Sequence, residues 1–126
     1  MNAPAVGSTT WVFPGGFIPA GSTGPEPART SREELCVLNA GDDDAEIEIT
    51  VFHERQDPVG PYPLVVAARR MRNVRINDLI DPQAVPLGVP FAAVVRSNVP
   101  IVAQLNRTDT SDGGLSITVA SGVALE

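Results

Sequence analysis

The feature that most restricts the fold of this chain is a two-residue alternation over positions 45–54. Apolar side chains and His53 fall on one face of this segment, whereas Glu46, Glu48 and other polar side chains fall on the opposite face. A period of two residues is that of a β-strand with one buried face and one face in water. Phe52 interrupts the polar face, so we expect that face to be covered near its end.

The aliphatic composition extends this expectation to the rest of the chain. Val and Ile together number 23 against 8 Leu residues, and β-branched side chains favour strands. Further apolar segments separated by turn residues lie at 11–18, 35–40, 63–76, 91–97, 99–108 and 115–120. We expect a tight turn at 98–100 and a helical turn over 77–81 that Pro82 ends. This spacing predicts an all-β fold, a single-domain antiparallel β-sandwich of about seven to eight strands.

The length of 126 residues is that of one domain with one hydrophobic core. We expect a flexible N-terminus over 1–10, a sandwich domain over 11–122 and a tail over 123–126, in which Leu125-Glu126 is typical of a residue pair left by cloning. The apolar runs are far shorter than the roughly 18 residues that span a bilayer, so direct membrane insertion is not expected. The first ten residues lack the pattern of a signal peptide, which indicates a cytoplasmic location.

The charge of the chain argues against a nucleic-acid partner. Fifteen Asp and Glu residues face nine basic residues, all of them Arg, for a net charge of −6. Binding along a phosphate backbone needs a positive surface. The Arg-rich segment from Arg69 to Arg75 leaves a DNA-binding regulator as the weakest of the alternatives.

A single Cys and a single His leave little room for metal or nucleophilic chemistry. Cys36 and His53 both lie in expected strands, and a zinc site needs three or four ligands. The acidic run at 42–44 lacks the spacing of a calcium-binding loop. No nucleophile elbow or phosphate-binding loop is found in the sequence. We therefore expect no catalytic residue, no cofactor and no metal.

Two charged segments predict a polar ladder or a subunit interface. A hairpin from 45–54 into the Arg-rich strand would set Glu46 and Glu48 opposite Arg70 and Arg72. Opposite charges across a strand pair contribute a few tenths to about 1 kcal/mol each. These four residues are therefore the expected interface residues.

Amide side chains occupy the centre of the apolar segment 99–108. Gln104 and Asn106 share one face, and amides in the middle of a strand are costly to bury without partners. They predict a ligand groove or a polar subunit interface, with simple solvent exposure as the remaining alternative. Trp11 lies among Pro and Gly residues and offers either a flat face for a sugar ring or a plug for the core.

Several segments, in order along the chain, resemble the sensory rhodopsin transducer family. They are WVFPGGFIP at 11–19, GPEP at 24–27, TSREELCVLN at 30–39, RR at 69–70, NDLIDP at 77–82, SNVPIV at 97–102 and RTD at 107–109. The resemblance covers residues 11 to about 120. It implies a small β-sandwich that assembles as a homotetramer and acts without catalysis. It further implies a membrane-embedded sensory rhodopsin as a partner, or a sugar-like small molecule as a ligand.

With this resemblance, the sequence indicates a non-enzymatic cytoplasmic module for signalling or ligand sensing. The expected ligand-binding residues are Trp11, Arg32, Asn39, Gln104, Asn106 and Arg107. Trp11 would stack on the ligand, the two Arg would pair with its oxygens, and the three amides would bind hydroxyls. The alternative is a small carbohydrate-processing enzyme that uses two carboxylates from among Glu26, Glu33 and Asp109.

Overall fold

The computed structural model describes residues 5–22 and 30–125, which form eight antiparallel β-strands and one 3₁₀ turn. The strands are β1 (Ser8–Gly16), β2 (Arg32–Asn39), β3 (Ala45–His53), β4 (Val59–Val66), β5 (Arg70–Arg75), β6 (Phe91–Asp109), β7 (Ser116–Ser121) and β8 (Val123–Leu125). The 3₁₀ turn spans Ile76–Asp78, one residue earlier than the expected helical turn begins. The all-β class and the antiparallel sandwich are therefore confirmed. Within the two described ranges, no helix is long and apolar enough to cross a bilayer.

The long strand β6 belongs to two sheets. Its N-terminal half pairs in sheet A, whose order is β4-β3-β6-β1-β8. Its C-terminal half pairs with β2 and β7, and β5 completes sheet B in the order β5-β2-β6-β7. The inner faces of both sheets contribute to one apolar core, to which β3 gives Ile47 and Ile49 and β2 gives Leu35 and Val37.

The alternation over 45–54 is confirmed in β3. Ile47, Ile49 and Val51 are buried, while Glu46 and Glu48 are exposed. The cover that we expected near the end of the polar face is not found among the described residues, because Phe52 there is 40% exposed.

The expected turn at 98–100 is wrong, because β6 continues through these residues without reversing. Ser97 still pairs with β3 in sheet A, and Val102 already pairs with β2 in sheet B. Pro100 has no N–H to donate, which a strand tolerates where a partner strand ends. The Asn and Pro residues therefore mark the crossing of the strand between sheets rather than a hairpin.

The expected ladder between Glu and Arg side chains is also wrong. Glu46 and Glu48 lie opposite β4, whereas Arg70 and Arg72 lie opposite β2. The chain bends between β4 and β5 at Arg69, whose φ is 57°, and the bend moves β5 from sheet A to sheet B. The hairpin that follows β3 is therefore β3–β4 and does not include the Arg-rich strand.

Both ends of the domain extend further than expected. Ser8 to Thr10, assigned to the flexible N-terminus, are part of β1, and residues 123–125, assigned to the tail, form β8. The two strands pair with each other, and the Ser8 hydroxyl donates a hydrogen bond to the Leu125 carbonyl. Residues 8–10 are polar and residues 123–125 form a stretch of only three apolar residues, so neither shows the alternation that would predict a strand.

Candidate functional site

The outer side of sheet B carries an uninterrupted set of polar side chains, which we call the sheet B face. Leu35, Val37, Ala103 and Leu105 point into the core, so the alternate residues of β2 and β6 point outward. The outward polar residues are Arg32, Glu34, Cys36, Asn73, Arg75, Gln104 and Asn106. The register sets Glu34 between Asn106 and Arg75, and Cys36 between Gln104 and Asn73.

The polar side chains of the sheet B face bind one another. Gln104 Nε2 donates to Asn106 Oδ1 at 3.1 Å, and Asn106 Nδ2 donates to Cys36 Sγ at 3.2 Å. Arg32 Nε lies 2.8 Å from Glu34 Oε1, and both side chains are less than a quarter exposed. Arg75 Nε is buried and has no hydrogen-bond partner among the described residues. The centre of this face is thus a polar network whose side chains hold one another in place.

The thiol at the centre of this network is held in its neutral form. Burial raises the pKa of Cys36, and the negative charge of Glu34 raises it further. A neutral thiol is a poor nucleophile. Cys36 therefore acts as a hydrogen-bond acceptor in the network.

Apolar side chains flank the polar network on both sides. Leu38 and Met71 are 43% and 60% exposed on one side, and Ile117 and Val119 are 66% and 57% exposed on β7. A shallow cavity of about 160 Å³ lies beside Cys36 and is lined by Leu38, Met71 and Val102 among others. It is smaller than the roughly 300 Å³ at which ligand pockets begin.

Arg107 lies on the inner side of sheet B, where it contacts the end of β1. Its Nη2 is 3.1 Å from Glu33 Oε2 and 3.0 Å from the Gly15 carbonyl, and its Nε donates to the Phe17 carbonyl at 3.0 Å. The guanidinium also lies 5.5 Å from the centre of the Phe17 ring. Burial raises the pKa of Glu33, although the hydrogen bonds from the Phe17 N–H and from Arg107 oppose that effect. Arg107 is thus occupied by internal contacts.

Asn39 is buried where the β2–β3 turn meets the β4–β5 corner. Its Nδ2 donates to the carbonyls of Asp43, Val66 and Ala67 at 2.9, 3.0 and 3.3 Å, and its Oδ1 accepts from the Gly41 N–H at 3.1 Å. All of these partners are backbone groups of the same corner. The amide therefore fixes the corner.

Trp11 belongs to sheet A. Its ring packs against the core, and its indole N–H donates to the Ile101 carbonyl at 2.9 Å and to the Ser8 carbonyl at 3.2 Å. The only polar group of the indole is therefore bonded within the chain.

The structure does not bring the six expected ligand-binding residues together. Arg32, Gln104 and Asn106 share the sheet B face, whereas Trp11, Asn39 and Arg107 are placed elsewhere. Sequence reasoning missed Glu34 and Arg75 on this face. A strand that extends from 35–40 back to Arg32 would place Glu34 on the same face as Cys36, but Arg75 joins the face only through the β2–β5 register.

The carboxylates of the enzymatic alternative have other environments. Glu33 is fully buried, Asp109 accepts hydrogen bonds from the hydroxyl and N–H of Ser111, and Glu26 lies outside the described residues. These Ser111 contacts lower the pKa of Asp109. In the ranges that the structure describes, no three His, Cys, Asp or Glu side chains come close enough to hold a metal.

The Arg-rich segment does not form one positive surface. Arg69 pairs with Asp42 at 2.7 Å, and Arg72 Nη1 donates to the Val65 carbonyl at 2.9 Å. Arg75 lies on the sheet B face beside Glu34. The positive charges of this segment therefore point in different directions.

Comparisons with known proteins agree with one another. A family model described as Anabaena sensory rhodopsin transducer matches residues 6–124. The solved structure of the Anabaena sensory rhodopsin transducer is 48% identical, covers 81% of this chain and 99% of its own, and superimposes with a TM-score of 0.72. A crystal structure from Thermotoga maritima is 31% identical, covers 96% and 97% of the two chains, and gives a TM-score of 0.86. No curated protein sequence gives a significant match.

Proposed function

Since this chain belongs to the family of the Anabaena sensory rhodopsin transducer, we propose that it is a non-enzymatic cytoplasmic signalling module whose sheet B face binds a protein partner. The partner that the family name suggests is a membrane-embedded sensory rhodopsin. The observation that carries the proposal is the polar network of Arg32, Glu34, Cys36, Gln104 and Asn106 at the centre of an exposed sheet.

The composition of the sheet B face supports a macromolecular partner. Exposed Met71, Leu38, Ile117 and Val119 flank fixed polar groups, and such mixed faces are typical of interfaces between proteins. The cavity beside Cys36 is too small to enclose a sugar ring by itself. On the sheet B face, a sugar-like ligand would therefore need a second copy of the chain to complete its site.

We propose further that the chain assembles as a homotetramer. Glu46 and Glu48 lie exposed on sheet A, and Arg70 lies exposed at the edge of sheet B. Neither Glu makes an ion pair with another residue of the described part of the chain. Because the acidic and basic groups lie on different sheets, they suit ion pairs between copies of the chain. Arg72 lies on β5 with Arg70 and would contribute to the same contacts.

Binding to a sensory rhodopsin in lipid nanodiscs tests the proposal. Met71→Glu and Val119→Glu place a charge on the two apolar flanks of the sheet B face, and we expect each to weaken binding at least about tenfold. Ile80→Glu changes a residue of similar exposure outside both sheets, and it should bind as the unchanged protein does. Equal affinity for all four proteins would disprove the role of this face.

A thermal-shift screen with simple sugars, sugar acids and sugar phosphates tests the small-molecule alternative. A ligand at 100 times its dissociation constant stabilises the native state by about 2.7 kcal/mol. No shift with any sugar is the outcome we expect. A shift that Asn106→Ala removes would instead assign the sheet B face to a small molecule.

A further inference from the structure

The segment that follows β1 is attached to sheet B by an ion pair between the buried Glu33 and the partly exposed Arg107. The Phe17 N–H donates to Glu33 Oε2 at 2.8 Å, and Arg107 binds that same oxygen and the carbonyls of Gly15 and Phe17. Ile18 follows with 0% exposure, and its carbonyl accepts from the Gly88 N–H at 2.7 Å. Beyond Gly16 the segment has no strand partner, so these contacts fix its position.

The far end of the same segment is fastened beside Glu33. The Ser31 hydroxyl donates to the Gly21 carbonyl at 2.6 Å, and the Ser22 hydroxyl accepts from the Ser31 N–H at 2.8 Å. Ser31 is two residues before Glu33 on the chain. Phe17 near one end of the segment and residues 21–22 at the other end are therefore both held by hydrogen bonds to residues at or just before the start of β2.

Glu33 is poorly compensated for a buried carboxylate. It is 0% exposed, and its Oε1 has no hydrogen-bond partner among the described residues. Arg107 compensates the charge of Glu33 only in part. Its guanidinium also donates to two backbone carbonyls, and 29% of its side chain is exposed to solvent. An ionised carboxylate in such a place pays a large desolvation cost, which the neutral acid avoids.

We propose that Glu33 is a proton-binding site that controls how firmly residues 15–18 are held on sheet B. A proton from solvent binds the carboxylate and forms an O–H bond at Oε1, while Oε2 keeps its contacts with the Phe17 N–H and Arg107. The segment is held most firmly in this neutral form and loosens as the carboxylate ionises, because opening returns the charge to water. The inference goes beyond the signalling role and does not depend on it.

The charged groups around Glu33 are few. From β6 only Arg107 faces it, since Asp109, two residues on, is bonded to Ser111. From the 3₁₀ turn the amide of Asn77 accepts from the Glu33 N–H, and Asp78 is the next residue. The neighbours of Glu33 on β2, Arg32 and Glu34, point to the opposite face and pair with each other. β1 and the 85–90 stretch contribute no titratable side chain.

The amide of Phe17 reports on this proton directly, and its ¹H–¹⁵N signal is followed from about pH 4 to pH 8. We expect a sigmoidal change in its shift with a midpoint above that of an ordinary Glu, lost in Glu33→Gln and kept in the matched control Glu34→Gln. Asp78→Asn and the removal of Asp109 as Asp109→Asn should leave the titration in place. A Phe17 signal that does not titrate, or that titrates alike in Glu33→Gln, would overturn the proposal.

Hydrogen exchange of the unchanged protein tests the loosening itself, whether or not the variants fold. The protection factor of the Phe17 amide, divided by that of amides in β3, should be higher at pH 4 than at pH 8, because a raised pKa of Glu33 means that the closed segment binds the proton more tightly than the open one. A ratio that stays constant, or that falls as the pH falls, would contradict the proposed direction.

Discussion

Asn39 is a polar side chain whose groups are bonded almost entirely to the backbone. Its single NH₂ group donates to the carbonyl of Asp43 in the β2–β3 turn and to two carbonyls at the end of β4, and its carbonyl oxygen accepts from the Gly41 N–H. Among the standard side chains, only the amides of Asn and Gln combine an NH₂ group with a carbonyl oxygen, and Asn is the shorter of the two. The residue is therefore part of the framework on which the neighbouring strands depend.

Replacing Asn39 by Ala should destabilise the fold strongly. The change leaves buried carbonyls without a donor, and we expect a loss of about 2–4 kcal/mol. Urea denaturation, followed by the fluorescence of the only Trp, measures the free energy of unfolding. Asn98→Ala is the matched control because that amide makes one exposed bond, to the Glu46 N–H, and it should cost less than about 1 kcal/mol. Equal losses in the two variants would contradict the role of Asn39.

Cys36 should react slowly with thiol reagents. Its raised pKa keeps it as the thiol, and β5 and β6 limit access to it. At pH 8 we expect modification by a disulfide reagent at least about tenfold slower than that of free cysteine. In urea the rate should approach that of the free amino acid. Rapid modification of the native protein would show that the sheet B face is open at Cys36.

At the scale of residues, sequence reasoning found polar side chains but not their partners. The expectation that Gln104 and Asn106 need partners is met by each other and by Cys36. Arg107 looked equally available, yet its partners Gly15 and Phe17 are 90 or more residues away in sequence. Contacts at that separation depend on the register of β1, which the sequence does not reveal.

Among the elements, β1 depends on close packing at its end. A Cβ added to Gly16 would lie 2.3 Å from the Phe91 ring, whereas one added to Gly15 would meet nothing within 4 Å. Phe91 is 4% exposed and starts β6, so it has little room to move. Gly16 is therefore where the end of β1 can approach β6.

The adjacent glycines give a matched pair of variants. Gly16→Ala should destabilise the protein by about 1–3 kcal/mol, since the methyl group overfills the core. Gly15→Ala should change stability by no more than about 0.5 kcal/mol. Thermal unfolding of the two proteins side by side measures the difference. Equal melting temperatures for Gly16→Ala and Gly15→Ala would refute the close approach of β1 to Phe91.

The elements that could be predicted are those whose faces differ in polarity. β3 alternates cleanly and is confirmed, as is the strand predicted at 115–120, which the structure has at 116–121. The turn predicted at 98–100 is wrong because Asn and Pro are compatible both with a turn and with a strand that crosses between sheets. The predicted pairing of Glu46 and Glu48 with the Arg-rich strand is wrong because a bend at one residue, Arg69, places β5 in sheet B and not beside β3.

At the scale of the whole molecule, the exposed apolar residues of β7 predict self-association. Ile117 and Val119 on β7, at the edge of sheet B, and Leu115 just before this strand are each more than 50% exposed. If the chain forms the proposed homotetramer through this edge, Ile117→Thr with Val119→Thr should shift the sedimentation coefficient toward that of a monomer. Thr keeps the β-branched shape, so the strand should remain. A monomer in both proteins would disprove the assembly, and a tetramer in both would place its contacts elsewhere.

The double membership of β6 has a consequence for the order in which a newly made chain folds. The β3–β4 and β2–β5 pairs involve only residues before position 76, whereas β1 pairs with β6 and β8 alone. Neither sheet can close until residues 91–109 have left the ribosome, by which time most of the chain is made. The two sheets then share one late event and gain their stability together. A chain truncated before β6 would thus retain two separate strand pairs without the strand that joins them.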